Sequence, residues 1–150
     1  MNKDTDIVNR IKKELKEKMQ LSSMDINVDS KQGNVILSGI VDVLSEKIFA
    51  EEIAYKIDGV VSIENGITIG MDSNITDSHI KYEIENKIYE EEESDSLLNL
   101  GVEVKGGTAI LMGHVENPSD KRKAVYLASS SRGVVNIVDS IKIETRKDEI

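Results

Sequence analysis

Apolar residues recur every four positions at Ile7, Ile11 and Leu15, and again at Ile80, Ile84 and Ile88. That spacing lays one apolar stripe along a helix whose other faces are charged. Thr5 and Thr76 stand ahead of these runs as expected N-caps, each followed by an acidic residue, Asp6 or Asp77, suited to the positive end of a helix dipole. Alternation of period two comes next. Met24-Ile26-Val28 and Leu98-Leu100-Val102 read as half-buried strands, followed by Val35-Leu37-Gly39-Val41 and Ala109-Leu111-Gly113-Val115. KQGN and KGGT reverse the chain between the two strands of each set, with Gly33 and Gly107 supplying the positive φ of a hairpin turn.

A second helix is expected in each half, capped by Ser45 or Ser119. Ala50, Ile53, Ala54 and Ile57 share one of its faces, as do Ala124, Leu127, Ala128 and Ser131 in the other half. Gly59 and Gly133 are expected at its left-handed C′ position. A last strand follows, with Val61, Ile63, Ile67 and Ile69 as its apolar positions, and Asn65-Gly66 and Asp139-Ser140 are expected to form a bulge or kink.

The two halves are copies. Residues 58–69 read DGVVSIENGITI and residues 132–143 read RGVVNIVDSIKI. The same offset aligns Gly33 with Gly107, Leu37 with Leu111, Gly39 with Gly113, Ala50 with Ala124 and Gly59 with Gly133. Identities fall on glycines and apolar positions, so what is repeated is a fold unit. The expected fold class is α+β: two tandem αββαβ domains, 1-71 and 72-150, each a three-stranded sheet with two helices packed on one face.

Composition narrows the function classes. Of 150 residues, 39% are apolar, enough for a core in each half, and 28 acidic against 19 basic side chains leave a formal net charge of −9. Such an excess of carboxylates disfavours a sequence-independent grip on nucleic acid or an anionic membrane. With no cysteine there is no disulfide framework, thiolate zinc site or cysteine nucleophile. The amino-terminal run MNKDTDIVNRIKKELKEKM lacks the unbroken apolar core of a signal peptide, and no stretch approaches the length of a membrane span. A cytoplasmic protein without a transmembrane segment is expected.

The residues Gly33-Asn34-Val35-Ile36-Leu37-Ser38-Gly39-Ile40-Val41 through Gly59-Val60-Val61, matched by Gly107 to Gly113 and Gly133 to Val135, resemble the BON domain. That family occurs in osmotically induced periplasmic proteins, outer-membrane-associated proteins, secretins and mechanosensitive channels. The resemblance covers almost the whole chain as two tandem domains. It implies a binding or interaction module that associates with membrane phospholipid or with an envelope- or stress-related protein partner. A cytoplasmic relative that joins a BON to a LysM domain binds potassium. The alternative reading is therefore a small-ligand or cation (potassium or calcium) regulator, although no LysM module is present here.

Candidate chemistry is sparse. His79 is expected on an exposed helical first turn. His114 lies on a strand with no carboxylate supplied by the repeat, so a surface or interface role is expected for both. Glu90 to Glu93, with Asp95 nearby, lack the alternating ligands and turning glycine of a calcium loop and read as a solvated face. Gly106 and Gly107 are turn residues without the lysine of a phosphate loop. Ser129-Ser130-Ser131 have no base beside them and read as a weakened last helical turn. Lys121, Arg122 and Lys123 form the compact basic cluster, a candidate for contacting phosphate or an acidic partner.

The strand faces turned away from the helices carry more information. If Val35, Leu37 and Val41 face the core, then Ile36 and Ile40, and Ile110, Met112 and His114, point the other way. Apolar residues there require a cover, and these five are the candidate interface. The short linker from Gly70 to Asn74 favours packing of the two domains on each other, with a second chain, as in a homodimer, or a hydrophobic ligand as the alternative covers. The glycines at 33, 39, 59, 107, 113 and 133 are assigned to turns and caps. No catalytic residue, metal or cofactor is expected, and the chain is read as a non-enzyme.

Overall fold

The computed structural model describes residues 3–19, 26–70, 75–91 and 95–144. Met24, Glu92, Glu93 and positions 71–74, which figured in the expectations above, lie outside them. The chain divides into two compact units, Met1–Gly70 and Met71–Ile150. The first contains α1 (Lys3–Met19), β1 (Ile26–Lys31), β2 (Asn34–Val41), α2 (Leu44–Tyr55) and β3 (Ser62–Ile69). The second contains α3 (Asp77–Tyr89), a 3-10 helix (Asp95–Asn99), β4 (Leu100–Lys105), β5 (Thr108–Val115), α4 (Pro118–Ser129) and β6 (Asn136–Ile143).

Each unit is a three-stranded sheet with the hairpin's second strand in the middle, in the orders β1-β2-β3 and β4-β5-β6. The hairpin pairs are antiparallel and the pairs joined through a helix are parallel. In the first unit α1 packs along β1, α2 along β3, and the helices touch each other; α3, α4, β4 and β6 repeat the arrangement. Between helices and sheet lie Ile11, Leu15 and Leu37, or Ile80, Ile84 and Leu111, all essentially excluded from solvent. Each such side chain contributes about 1.5–3 kcal/mol by leaving water. Ala50, Ala54, Ala124 and Ala128 are fully buried, and their small size lets the second helix of each unit lie close against its sheet.

Several boundaries differ from expectation for local reasons. Thr5 sits inside α1, which already begins at Lys3, whereas Thr76 does cap α3, its hydroxyl accepting the His79 N–H at 3.1 Å. Ser45 and Ser119 lie within α2 and α4. The Glu46 carboxylate instead accepts the Asp42 and Val43 N–H groups at 3.2 and 3.3 Å, and Asn117 Oδ1 accepts the Asp120 N–H at 2.8 Å ahead of Pro118.

Gly59 and Gly133 are not C′ residues. Lys56 and Ser130 close the helices in right-handed conformation, and each glycine falls in a following turn, closed by Val60 N–H to Ile57 C=O or Val134 N–H to Ser131 C=O. Leu98 belongs to the 3-10 helix and is exposed, so β4 buries Val102 and Val104 instead. Val61 precedes β3 and is exposed.

No bulge interrupts β3 or β6, whose registers run unbroken from Asn34↔Ser62 to Val41↔Ile69 and from Thr108↔Asn136 to Val115↔Ile143. Asn65 and Asp139 take helix-facing positions and turn their side chains onto the backbone. Asn65 Oδ1 accepts the Ile67 N–H, Asp139 Oδ1 accepts the Ile141 N–H, and Asn65 Nδ2 donates to the Lys47 carbonyl. These bonds occupy edge-strand groups that would otherwise be open to pairing.

A carboxylate from the first turn of the first helix holds each hairpin. Asp4 accepts from the Gln32 and Gly33 N–H groups at 2.9 and 3.0 Å and from the Ser30 hydroxyl at 2.8 Å; Asp77 accepts from the Gly106 and Gly107 N–H groups at 2.9 and 3.1 Å. The Gln32 N–H, then the Ser30 hydroxyl and the Gly33 N–H, hold the Asp4 carboxyl below its ordinary range. A folded-state pKa below the unfolded one makes this contribution complete above the ordinary carboxylate value. It is lost as pH falls through the lowered value. The urea midpoint of Asp4→Ala is therefore expected to trail that of the parent at neutral pH, with the gap closing below about pH 4. Urea titrations at neutral and acid pH check this; a gap that does not change with pH contradicts it.

Candidate functional site

The helix-covered side of each sheet is filled by the core, and the opposite face carries the exposed side chains. In the first unit the register sets Ile36 between Asp29 on β1 and Glu64 on β3, and Ile40 beside Thr68. Ile36 is 44% exposed and Ile40 62%. In the second unit Ile110 lies between Glu103 and Val138, Met112 between Gly101 and Ser140, and His114 beside Lys142. Met112 and Val138 are exposed, His114 is exposed and Ile110 is half-buried. Met112 lies over Gly101: a Cβ added there would meet the Met112 Cγ at 3.3 Å.

Val138 joins this face beside the five residues that strand parity singles out. It stands where the first copy has Glu64, and the outward parity of β6 was the signal that could have found it. It turns a single apolar row into a patch two strands wide.

The basic cluster does not converge on an open site. Lys121 pairs with Asp139 at 3.6 Å and Lys123 with Glu91 at 3.3 Å, both across elements of the second unit, while Arg122 is exposed. Two of the three cations thus serve to tie α4 to β6 and to the end of α3. His79 is exposed and reaches Glu83 one helical turn on, at 3.5 Å.

The serine run is structural. Ser129 and Ser130 hydroxyls donate to the Tyr126 carbonyl and Ser131 to the Leu127 carbonyl, and Ser129 and Ser131 are buried. Of the acidic run, Glu90 is the α3 C-cap and Glu91 holds Lys123. Among the described residues, no three His, Asp or Glu side chains come together as metal ligands. No helix among them is long and apolar enough to cross a membrane. The glycines at 33, 39, 59, 107, 113 and 133 all have positive φ, but Gly39 and Gly113 lie within β2 and β5 and not at turns or caps.

A hairpin, a capped helix laid back over it and a parallel third strand, written twice, define the class. The chain belongs to the BON-domain family, matching the BON domain over residues 3–71 and again over 76–145. It is 24% identical over 149 residues to a protein of Anaplasma centrale described as "uncharacterized protein in gshII 5′ region", covering 96% of this chain and 97% of that one. Among solved structures it is similar to CdsD, a structural protein of the type III secretion system of Chlamydia trachomatis, with a TM-score of 0.42 and 14% identity. That match covers 96% of this chain and 65% of the other. The C-terminal domain of CdsD matches with a TM-score of 0.41 and 11% identity, over 93% of this chain and 98% of that one.

Proposed function

We propose that this chain is a non-catalytic interaction module that binds a protein partner through the outer faces of its two sheets. The observation that carries this reading is the clustering of apolar side chains on the outward face of each central strand, exposed Ile36 and Ile40 in the first unit and half-buried Ile110 beside exposed Met112 in the second. A sheet covered on one side ordinarily shows polar residues on the other, so clustered apolar ones mark a surface that is covered in use. Protein is favoured over phospholipid because Asp29 and Glu64 flank Ile36 directly, and carboxylates at the contact repel an anionic bilayer. The BON resemblance connects such modules with osmotic and envelope stress, which is where partners are to be sought.

A photo-crosslinking residue placed at Ile36 or at Met112 of the full chain, in cells of its own host, is expected to yield protein adducts. The same residue at Glu17, on the outer side of α1, is expected to yield few. Adducts no more frequent at the sheet faces than at Glu17 overturn the reading. Flotation with phosphatidylglycerol and with phosphatidylcholine vesicles is expected to leave the protein at the bottom of the gradient. Co-flotation at either composition transfers the function to lipid binding.

A further inference from the structure

The outer faces of the two units differ in a way that bears on what covers them. We infer that the second unit's face, centred on Met112, is a self-association surface whose partner is the same face of a second copy of this chain. This rests on the interaction-module reading above and assigns one of its two faces.

Opposite charges flank the centre of this face. In the sheet register Glu103 stands beside Ile110 on one edge strand and Lys142 beside His114 on the other, so Met112 lies midway between them. Both charges are therefore roughly 8 Å from Met112 in the plane of the sheet, in opposite directions, from a strand spacing of about 4.8 Å and a rise of about 3.3 Å per residue. Opposite charges at opposite corners of an apolar patch are self-complementary. A twofold axis running past Met112 between two stacked faces lays Lys142 of each copy over Glu103 of the other.

Met112 itself is the knob at the centre, because its lateral neighbours Gly101 and Ser140 are small. Glu103 already holds Lys81 at 3.2 Å and remains exposed enough to accept a second cation. The first unit offers no such pattern: the corners equivalent to Glu103 and Lys142 are Asp29 and Thr68, and Glu64 replaces Val138. Stacking that face on itself brings carboxylates together without a cation at the opposite corner, so it is left for a different protein.

Sedimentation velocity of the full chain over a wide dilution series tests this. A reversible monomer–dimer equilibrium is expected. Met112→Glu, at an exposed site, is expected to raise the dimer dissociation constant by about 30-fold or more while leaving the circular dichroism melt unchanged. Lys142→Glu is expected to weaken the dimer and the Glu103→Lys, Lys142→Glu double variant to recover it, while Ile36→Glu leaves it intact. A monomer at every concentration, a Met112→Glu dimer as tight as the parent, or a double swap that recovers nothing overturns the inference. A monomeric chain that still crosslinks to other proteins at Ile36 overturns this assignment and leaves the interaction-module reading standing; absence of adducts at both faces overturns that reading too.

Discussion

Gly33→Val and Gly107→Val are each expected to cost about 3 kcal/mol or more of folding stability, seen as a large fall in the urea midpoint. Both positions combine a left-handed backbone, φ +84° and +80°, with a close approach from the turn that leads into the third strand. A Cβ on Gly33 would stand 2.6 Å from the Gly59 carbonyl oxygen and 2.8 Å from Val61 Cγ2; one on Gly107 would stand 3.0 Å from the Gly133 oxygen. Neither backbone oxygen can retreat easily, because Val61 and Val135 donate to the Gly33 and Gly107 carbonyls at 2.8 and 2.9 Å. The neighbouring turn position supplies a control. Gly106 is also left-handed, φ +55°, but a Cβ there meets nothing within 4 Å, and the first copy carries Gln32 at the same place with φ 54°. Gly106→Gln is expected to cost about 1 kcal/mol or less. Equal losses at 106 and 107 would show that the packed turn is not what selects glycine.

Leu37→Ala and Leu111→Ala are each expected to cost about 3–4 kcal/mol by denaturant titration. Both side chains are wholly excluded from solvent on the central strand of their sheets, beneath the two helices. Truncation removes the apolar area and leaves a void, because the strand is fixed on both sides by neighbouring strands and cannot collapse inward. A loss below about 1 kcal/mol at either site would mean that the central strand does not lie under the helices as described.

Periodicity and repetition made the architecture legible. The four-residue spacing of Ile7, Ile11 and Leu15 and the alternation through Val35, Leu37 and Val41 depend on solvent exclusion, which acts on side-chain type and is written directly in the sequence. Helix ends were less legible, since competing caps differ by a residue: Glu46 reaching back to Val43 serves as well as a serine hydroxyl would. Contacts across the fold were not legible at all. The hold of Asp4 on the Gln32-Gly33 turn joins residues far apart in sequence, and reading Thr5 and Thr76 as equivalent caps conceals the equivalence of Asp4 with Asp77.

The candidate surface was half visible. Ile36, Ile40, Ile110, Met112 and His114 follow from strand parity alone. The contribution of Val138 and the placing of Glu103 and Lys142 about Met112 needed the strand order and register, which a sequence without pairing information does not contain. Adjacency in sequence does not show where the basic side chains turn: Lys121 and Lys123 face different carboxylates, Asp139 and Glu91.

The most direct test of the two outer sheet faces is a methyl NMR spectrum of the full chain recorded with a soluble paramagnetic probe. The Ile36 and Ile40 methyls are expected to broaden strongly at every concentration. The Met112 methyl should broaden when the protein is dilute and regain protection as it is concentrated, and Ile11, Ile80 and Ile84 should stay sharp throughout. Ile36 as protected as Ile11, or Ile80 and Ile84 as broadened as Ile36, would contradict the assignment of inner and outer faces on which the proposed function rests.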